Sequence, residues 1–153
     1  MNLRTSIEEK YKEAFKSKNS DDTNALRLIK SAIKDKDIEN RTSESSNEIT
    51  DQQILVLLQN LIKQRKESIE SFKIASRDDL ISEEQFEIDL ISQFLPKQLN
   101  ERETEEIIIE MIKKQNFSSL KDMRSLINNL KSEYAGSVDI AMAGKIAKLI
   151  LNN

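Results

Sequence analysis

Leu3, Ile7, Tyr11, Ala14 and Phe15 recur at intervals of three and four residues. That spacing lines them along one face and predicts a first helix ending near Lys18. Ser20, Asp21 and Asp22 offer capping oxygens for a second helix, which buries Ala25, Leu26, Ile29, Ala32 and Ile33. The stretch from Asn40 to Asn47 has no hydrophobe and cannot offset its ordering entropy, so it is expected to be a mobile loop. Thr50 and Gln53 have capping-box spacing ahead of a long third helix to about Ile74, with Ile54, Leu58, Leu61, Ile62, Ile69 and Phe72 on its stripe. A fourth helix starts between Asp78 and Ser82, carries Phe86, Ile88, Leu90, Ile91, Phe94 and Leu95, and stops at Pro96.

Three shorter helices follow. Asn100 with Glu103 opens the fifth, with Ile107, Ile108, Met111 and Ile112 inward, and Ser119 with Asp122 opens the sixth, with Met123, Leu126, Ile127 and Leu130 inward. Ala135-Gly136 reads as a C-cap. Ser137 opens the seventh, from Val138 to Leu151, whose buried face carries Ala143, Ile146, Ala147 and Ile150. Ala143 and Gly144 together would admit a close backbone. The expected architecture is all-α: an N-terminal four-helix bundle-like domain over residues 1–95 and a small three-helix module over residues 96–153.

Composition agrees with helices. Only two glycines and one proline occur in 153 residues, too few for the hairpins of an all-β fold. A chain of this length buries roughly 70% of its unfolded surface, enough for a core without staples. Cysteine and histidine are both absent, which removes disulfides, thiolate nucleophiles, Cys-based zinc sites and the usual general base. Gly136 and Gly144 stand eight apart and form no phosphate loop. No catalytic constellation, cofactor or metal site is therefore expected, and a binding or accessory role is the default. The first ten residues carry charges at short intervals, and the longest apolar run is Ile54 to Leu58. Neither a secretory signal nor a membrane span is expected, and a cytoplasmic location follows.

Two charged positions fall where hydrophobes belong: Arg65 near the centre of the third helix's stripe and Glu87 near the centre of the fourth's. A structural ion pair between helices is preferred to an acid and base lining a site, since no second titratable group accompanies them. Asp78, Asp79, Glu83, Glu84 and Glu87 cluster near a helix start, where negative charge complements the macrodipole, and capping is preferred to metal binding. Lys63, Arg65 and Lys66 could touch phosphate, but Glu67 and Glu70 follow at neighbouring helical positions and would neutralise the surface pair.

The net charge is −3, yet from Lys113 onward seven basic residues face three acidic ones. Lys121, Arg124, Lys131, Lys145 and Lys148 lie on two helices joined by a short turn and could meet phosphates along one rim. On charge alone an ordinary solvated face is preferred. Aromatic residues there are limited to Phe117 and Tyr134, so any nucleic acid would be read by shape and backbone, not by stacking on single strands.

Several blocks together resemble the GatB/YqeY family: Ala25-Leu26-Arg27-Leu28-Ile29-Lys30-Ser31-Ala32-Ile33-Lys34, Leu61 through Phe72, Phe94-Leu95-Pro96-Lys97-Gln98-Leu99, Leu120-Lys121-Asp122-Met123 and Ala135-Gly136-Ser137-Val138-Asp139. Their order and spacing cover nearly the whole chain. The resemblance implies a two-part helical fold similar to the tail of the B subunit of the glutamine-dependent amidotransferase acting on misacylated Glu-tRNA or Asp-tRNA, and to domains appended to some glutaminyl-tRNA synthetases. In those proteins the tail helps hold tRNA while catalysis lies elsewhere, so a label of carbon–nitrogen ligase with glutamine as amido-N-donor has no catalytic residues behind it in this chain. Tail-like tRNA contact carries over to Lys121, Lys131 and Lys145, and the charge argument adds Arg124 and Lys148. Arg124 stands where the family often has glycine. The alternative expectation is a helical adaptor binding a protein partner, such as an amidotransferase or a synthetase, through an apolar groove between the two parts.

Overall fold

The computed structural model describes residues 2–41 and 48–152, so the expected loop from Asn40 to Asn47 falls mostly outside the described residues. Within them the chain is all-helical: α1 (Leu3–Lys16), α2 (Ser20–Glu39), α3 (Asp51–Ile74), α4 (Asp78–Ser92), α5 (Glu101–Gln115), a 3₁₀ turn (Leu120–Asp122), α6 (Met123–Glu133) and α7 (Ile140–Leu151). Its contacts separate into two units, Met1–Leu95 and Pro96–Asn153.

In the first unit, three-residue connections join α1 to α2 and α3 to α4, which favours antiparallel neighbours. The core is built from Ile7 and Ala14 of α1, Ala25, Leu26, Ile29 and Ile33 of α2, Ile54 and Leu58 of α3, and Leu90 and Ile91 of α4. Each isoleucine or leucine among them contributes about 1.5–3 kcal/mol when fully buried. Phe15 departs from its expected burial at 61% exposed. Ala14 takes the position in register with Ile7, and Phe15 rests beside the Tyr11 ring, with centroids 6.2 Å apart. Phe86, expected on the buried face of α4, is 40% exposed.

Helix ends show what the polar pattern left open. Asn19 caps α2, its side chain accepting from the Asp22 N–H at 3.1 Å, while Ser20 is already helical. α1 stops at Lys16, and Lys18 takes the left-handed φ of 59°. The Asn19 and Lys18 N–H groups then return to the Ala14 and Phe15 carbonyls, which closes a Schellman turn without glycine. Ser76 does the same after α3, at φ 56°. α4 ends at Ser92, before Pro96, because the N–H groups of Gln93, Phe94 and Leu95 bond three residues back and tighten its last turn.

One charged tie holds the end of this unit. Arg4 donates to both Asp37 carboxylate oxygens at 2.8 and 3.0 Å, and Asp37 also accepts the Ile49 N–H at 2.8 Å. The Arg4 guanidinium is the main reason the Asp37 carboxyl sits below its ordinary value, with the Ile49 N–H adding to it. A carboxyl depressed in the folded state lends stability above its unfolded pKa and loses it as pH falls through the folded one. Asp37→Asn should therefore cost about 1.5–3 kcal/mol at neutral pH and progressively less below about pH 4, read from urea melts across pH. An equal loss at pH 7 and pH 3 would refute the ion-pair origin.

The second unit buries Ile108 and Met111 of α5, Leu126 and Leu130 of α6, Val138, and Ala143, Ala147 and Leu151 of α7. α5 carries the Asn100–Glu103 capping box and ends on Asn116 at φ 56°. A 3₁₀ turn precedes α6, with the Asp122 carboxylate accepting the Ser118 N–H at 2.8 Å and the Ser119 N–H at 3.3 Å. The cap of α7 is Asp139, accepting from the Met142 N–H, and Ser137 lies outside the helix. Ala143 is fully buried, but a Cβ placed on Gly144 would meet nothing within 4 Å, so the expected close backbone approach does not involve Gly144.

Candidate nucleic-acid interface

Exposure of the C-terminal cations follows from helical geometry. On α6 the buried positions are Leu126 and Leu130, and at about 100° per residue Arg124 and Lys131 fall roughly 120–140° from the middle of that stripe. The two are seven residues apart, so they share a side of the helix with an axial separation of about 10 Å. On α7 Lys145 lies about 160° from the middle of the Ala143–Ala147–Leu151 stripe and Lys148 about 100°. Lys121 sits in the 3₁₀ turn just ahead of α6.

All five side chains belong to exposed residues. They form two helix-borne pairs, Arg124 with Lys131 and Lys145 with Lys148, plus Lys121. Each pair lies off the buried stripe of its helix. Exposed cations on helix flanks can meet a phosphate backbone.

The structure places Arg65 and Glu87 together: Arg65 Nε donates to Glu87 Oε2 at 2.5 Å, and Arg65 Nη1 donates to the Leu61 carbonyl at 3.1 Å. The four-helix core reaches only as far as Ile62 on α3. Beyond it α3 packs on α4 as a two-helix hairpin, in which Ile69 and Ile88 are buried. Two helices cannot enclose a stripe, so a long side chain with an apolar stem and a charged end suits this level. Nearby Glu84 has its carboxyl raised, first by desolvation and then by the Glu87 charge, with Arg65 opposing.

The Arg65 and Glu87 side chains are 15% and 26% exposed. Arg65→Met should accordingly cost about 2–3 kcal/mol, between the ~1 of an exposed pair and the ~3–5 of a buried one. Glu87→Gln added to it should cost less than the sum of the singles in a double-mutant cycle. Simple additivity would show that the pair does not interact.

In the acidic cluster, Asp79 pairs with Arg77 at 3.0 Å, and that guanidinium holds its carboxyl below the ordinary value. Among the described residues no group of three or more His, Cys, Asp or Glu is placed to hold a metal ion. No helix among them is long and apolar enough to cross a membrane.

Sequence reasoning passed over a second basic feature. α1 and α2 flank a cleft of about 390 Å³ lined by Arg4, Glu8, Tyr11, Arg27, Lys30 and Lys34 among others. The Lys30 ammonium lies 4.0 Å from the Tyr11 ring centroid and 3.0 Å from Glu8. The signal was present in the order Arg27, Lys30, Ser31, Lys34, which is one helical stripe, but its concavity needed α1.

Comparison with known proteins gives one family and two kinds of relative. The family model described as Yqey-like protein matches residues 4–151. An uncharacterized protein of Schizosaccharomyces pombe is 34% identical over 96 residues, covering 63% of this chain and 74% of that protein. The Saccharomyces cerevisiae protein named Altered inheritance of mitochondria protein 41, mitochondrial, is 36% identical over 84 residues, which span 55% of this chain and 43% of the yeast protein.

Proposed function

Because the chain belongs to the Yqey-like protein family, we propose that it is a non-catalytic, tRNA-associated helical module that meets folded RNA through phosphate contacts on its C-terminal unit. The observation that carries this reading is the exposed set Lys121, Arg124, Lys131, Lys145 and Lys148, in a stretch where basic residues outnumber acidic ones on an otherwise acidic chain. The similarity to the amidotransferase tail supplies the choice of tRNA. A cytoplasmic site of action goes with it, and the name of the yeast relative makes an organelle the alternative.

Titrating labelled, folded tRNA at about 50 and 200 mM salt tests the reading, since each phosphate contact adds roughly 0.7–0.9 to the slope of log affinity against log salt. Binding that weakens steeply with salt is expected. Absence of binding near 50 mM salt overturns the reading in favour of a helical adaptor for an amidotransferase or synthetase. Exposed apolar side chains favour that second reading: Ile74 is 89% and Leu149 70% exposed.

A further inference from the structure

The cleft between α1 and α2 has the size of a small-ligand site and an excess of positive charge. Its volume of about 390 Å³ falls within the range of sites that hold small molecules. Four cations, Arg4, Arg27, Lys30 and Lys34, face two carboxylates, Glu8 and Asp37. Both carboxylates are engaged: Asp37 by Arg4 at 2.8 Å and Glu8 by Lys30 at 3.0 Å. Arg27 has only a 3.4 Å contact to the Tyr11 hydroxyl, and Lys34 has no acidic partner among the described residues.

Placing cations this way opposes folding. Lys30 and Lys34 are four residues apart on one helix face, a like-charge arrangement that destabilises an isolated helix. Lys30 is relieved by Glu8 and by the Tyr11 ring; Lys34 is not. Concave walls that include Ile7 and Ile33 exclude water on one side and focus the field of those charges. Arg27, Lys30 and Lys34 also rise along α2 in steps of about 4.5 and 6 Å, and the Ser31 hydroxyl lies in the same stripe.

We infer that this cleft is a binding site for a ligand carrying two or more phosphate groups, with Arg27 and Lys34 as its principal contacts and Lys30 held between them by Tyr11 and Glu8. A ladder spread over about 10 Å of helix suits several phosphates better than one. The phosphates can belong to a free small molecule or to a nucleic-acid backbone, since the chemistry is shared. The site lies in the N-terminal unit and does not depend on the RNA reading of the C-terminal cations.

Titration of the isotope-labelled full chain with inorganic pyrophosphate at constant ionic strength, followed by amide chemical shifts, tests the assignment. Shifts should gather on α1 residues 4–11 and α2 residues 27–34. Arg27→Gln and Lys34→Gln should each weaken binding about tenfold or more, the worth of one charge-assisted contact, with unchanged melting. Lys16→Gln removes the same charge on the other side of α1 and should change nothing. Shifts scattered over the surface lysines, or affinities unmoved by Arg27→Gln and Lys34→Gln, overturn the site. Orthophosphate binding as tightly as pyrophosphate overturns the multi-phosphate assignment. Within a confirmed site, pyrophosphate displacing folded tRNA assigns the phosphates to nucleic acid, and tRNA binding indifferent to pyrophosphate assigns them to a small molecule.

Discussion

Leu126→Ala should take a large part of the stability of the C-terminal unit while leaving the N-terminal unit unchanged. Leu126 is fully buried among Ile108, Met111, Leu130, Val138, Ala143 and Ala147, with two alanines already lowering the apolar volume. Truncating a buried leucine costs about 2–5 kcal/mol, more where the site cannot collapse. A unit spanning Pro96–Asn153 has only roughly 3–9 kcal/mol to lose at ~0.05–0.15 kcal/mol per residue. The core of the first unit shares none of these side chains. Hydrogen exchange should therefore show protection reduced across α5, α6 and α7 and unchanged in α1 to α4. Loss of protection in both units together would show that they fold as one, and unchanged protection in α5 to α7 would show that the small core is not limiting.

The stripes of this protein were readable because helical burial repeats locally, and the buried residues Leu26, Ile29, Leu58, Ile91, Ile108 and Leu130 all sit on faces visible in the residue order. Capping boxes at Thr50–Gln53 and Asn100–Glu103 were readable for the same reason, since donor and acceptor are three residues apart. Helix stops were harder. Lys18, Ser76 and Asn116 take left-handed backbone, a role usually given to glycine, and nothing in a lysine or a serine announces it. Where several capping residues stood in a row, local chemistry could not choose: Asn19 won over Ser20, and Asp139 over Ser137.

Long-range partners divide along similar lines. Arg65 and Glu87 were legible because each interrupts an apolar stripe. Arg4 and Asp37 were not, since both stand on mixed faces and join across 33 positions of chain. The C-terminal cations were legible as charges on outward faces. The α1–α2 cleft was hidden. Arg27, Lys30 and Lys34 form a stripe in sequence, and only the neighbouring helix makes that stripe the wall of a concave site.

The triple variant Lys121→Glu, Arg124→Glu, Lys145→Glu should abolish measurable tRNA binding at moderate salt without loss of helix. Folding tolerates these changes for a positional reason. Lys121 and Arg124 lie in the 3₁₀ turn and first turn that open α6, where a negative side chain complements the macrodipole better than a positive one. Lys145 is exposed in the middle of α7, and exposed charges contribute about 1 kcal/mol or less. Lys148 is left in place because it complements the C-terminal end of α7. If all three residues face phosphates, the slope of log affinity against log salt should flatten by about two to three units, and repulsion by the new carboxylates weakens what remains. A smaller change, about 0.7–0.9 if only Lys145 meets a phosphate or about 1.4–1.8 if only Lys121 and Arg124 do, would mean that the RNA engages only one of the two outward faces. Wild-type affinity in a folded triple variant would remove the C-terminal unit from RNA recognition and leave the adaptor reading in its place.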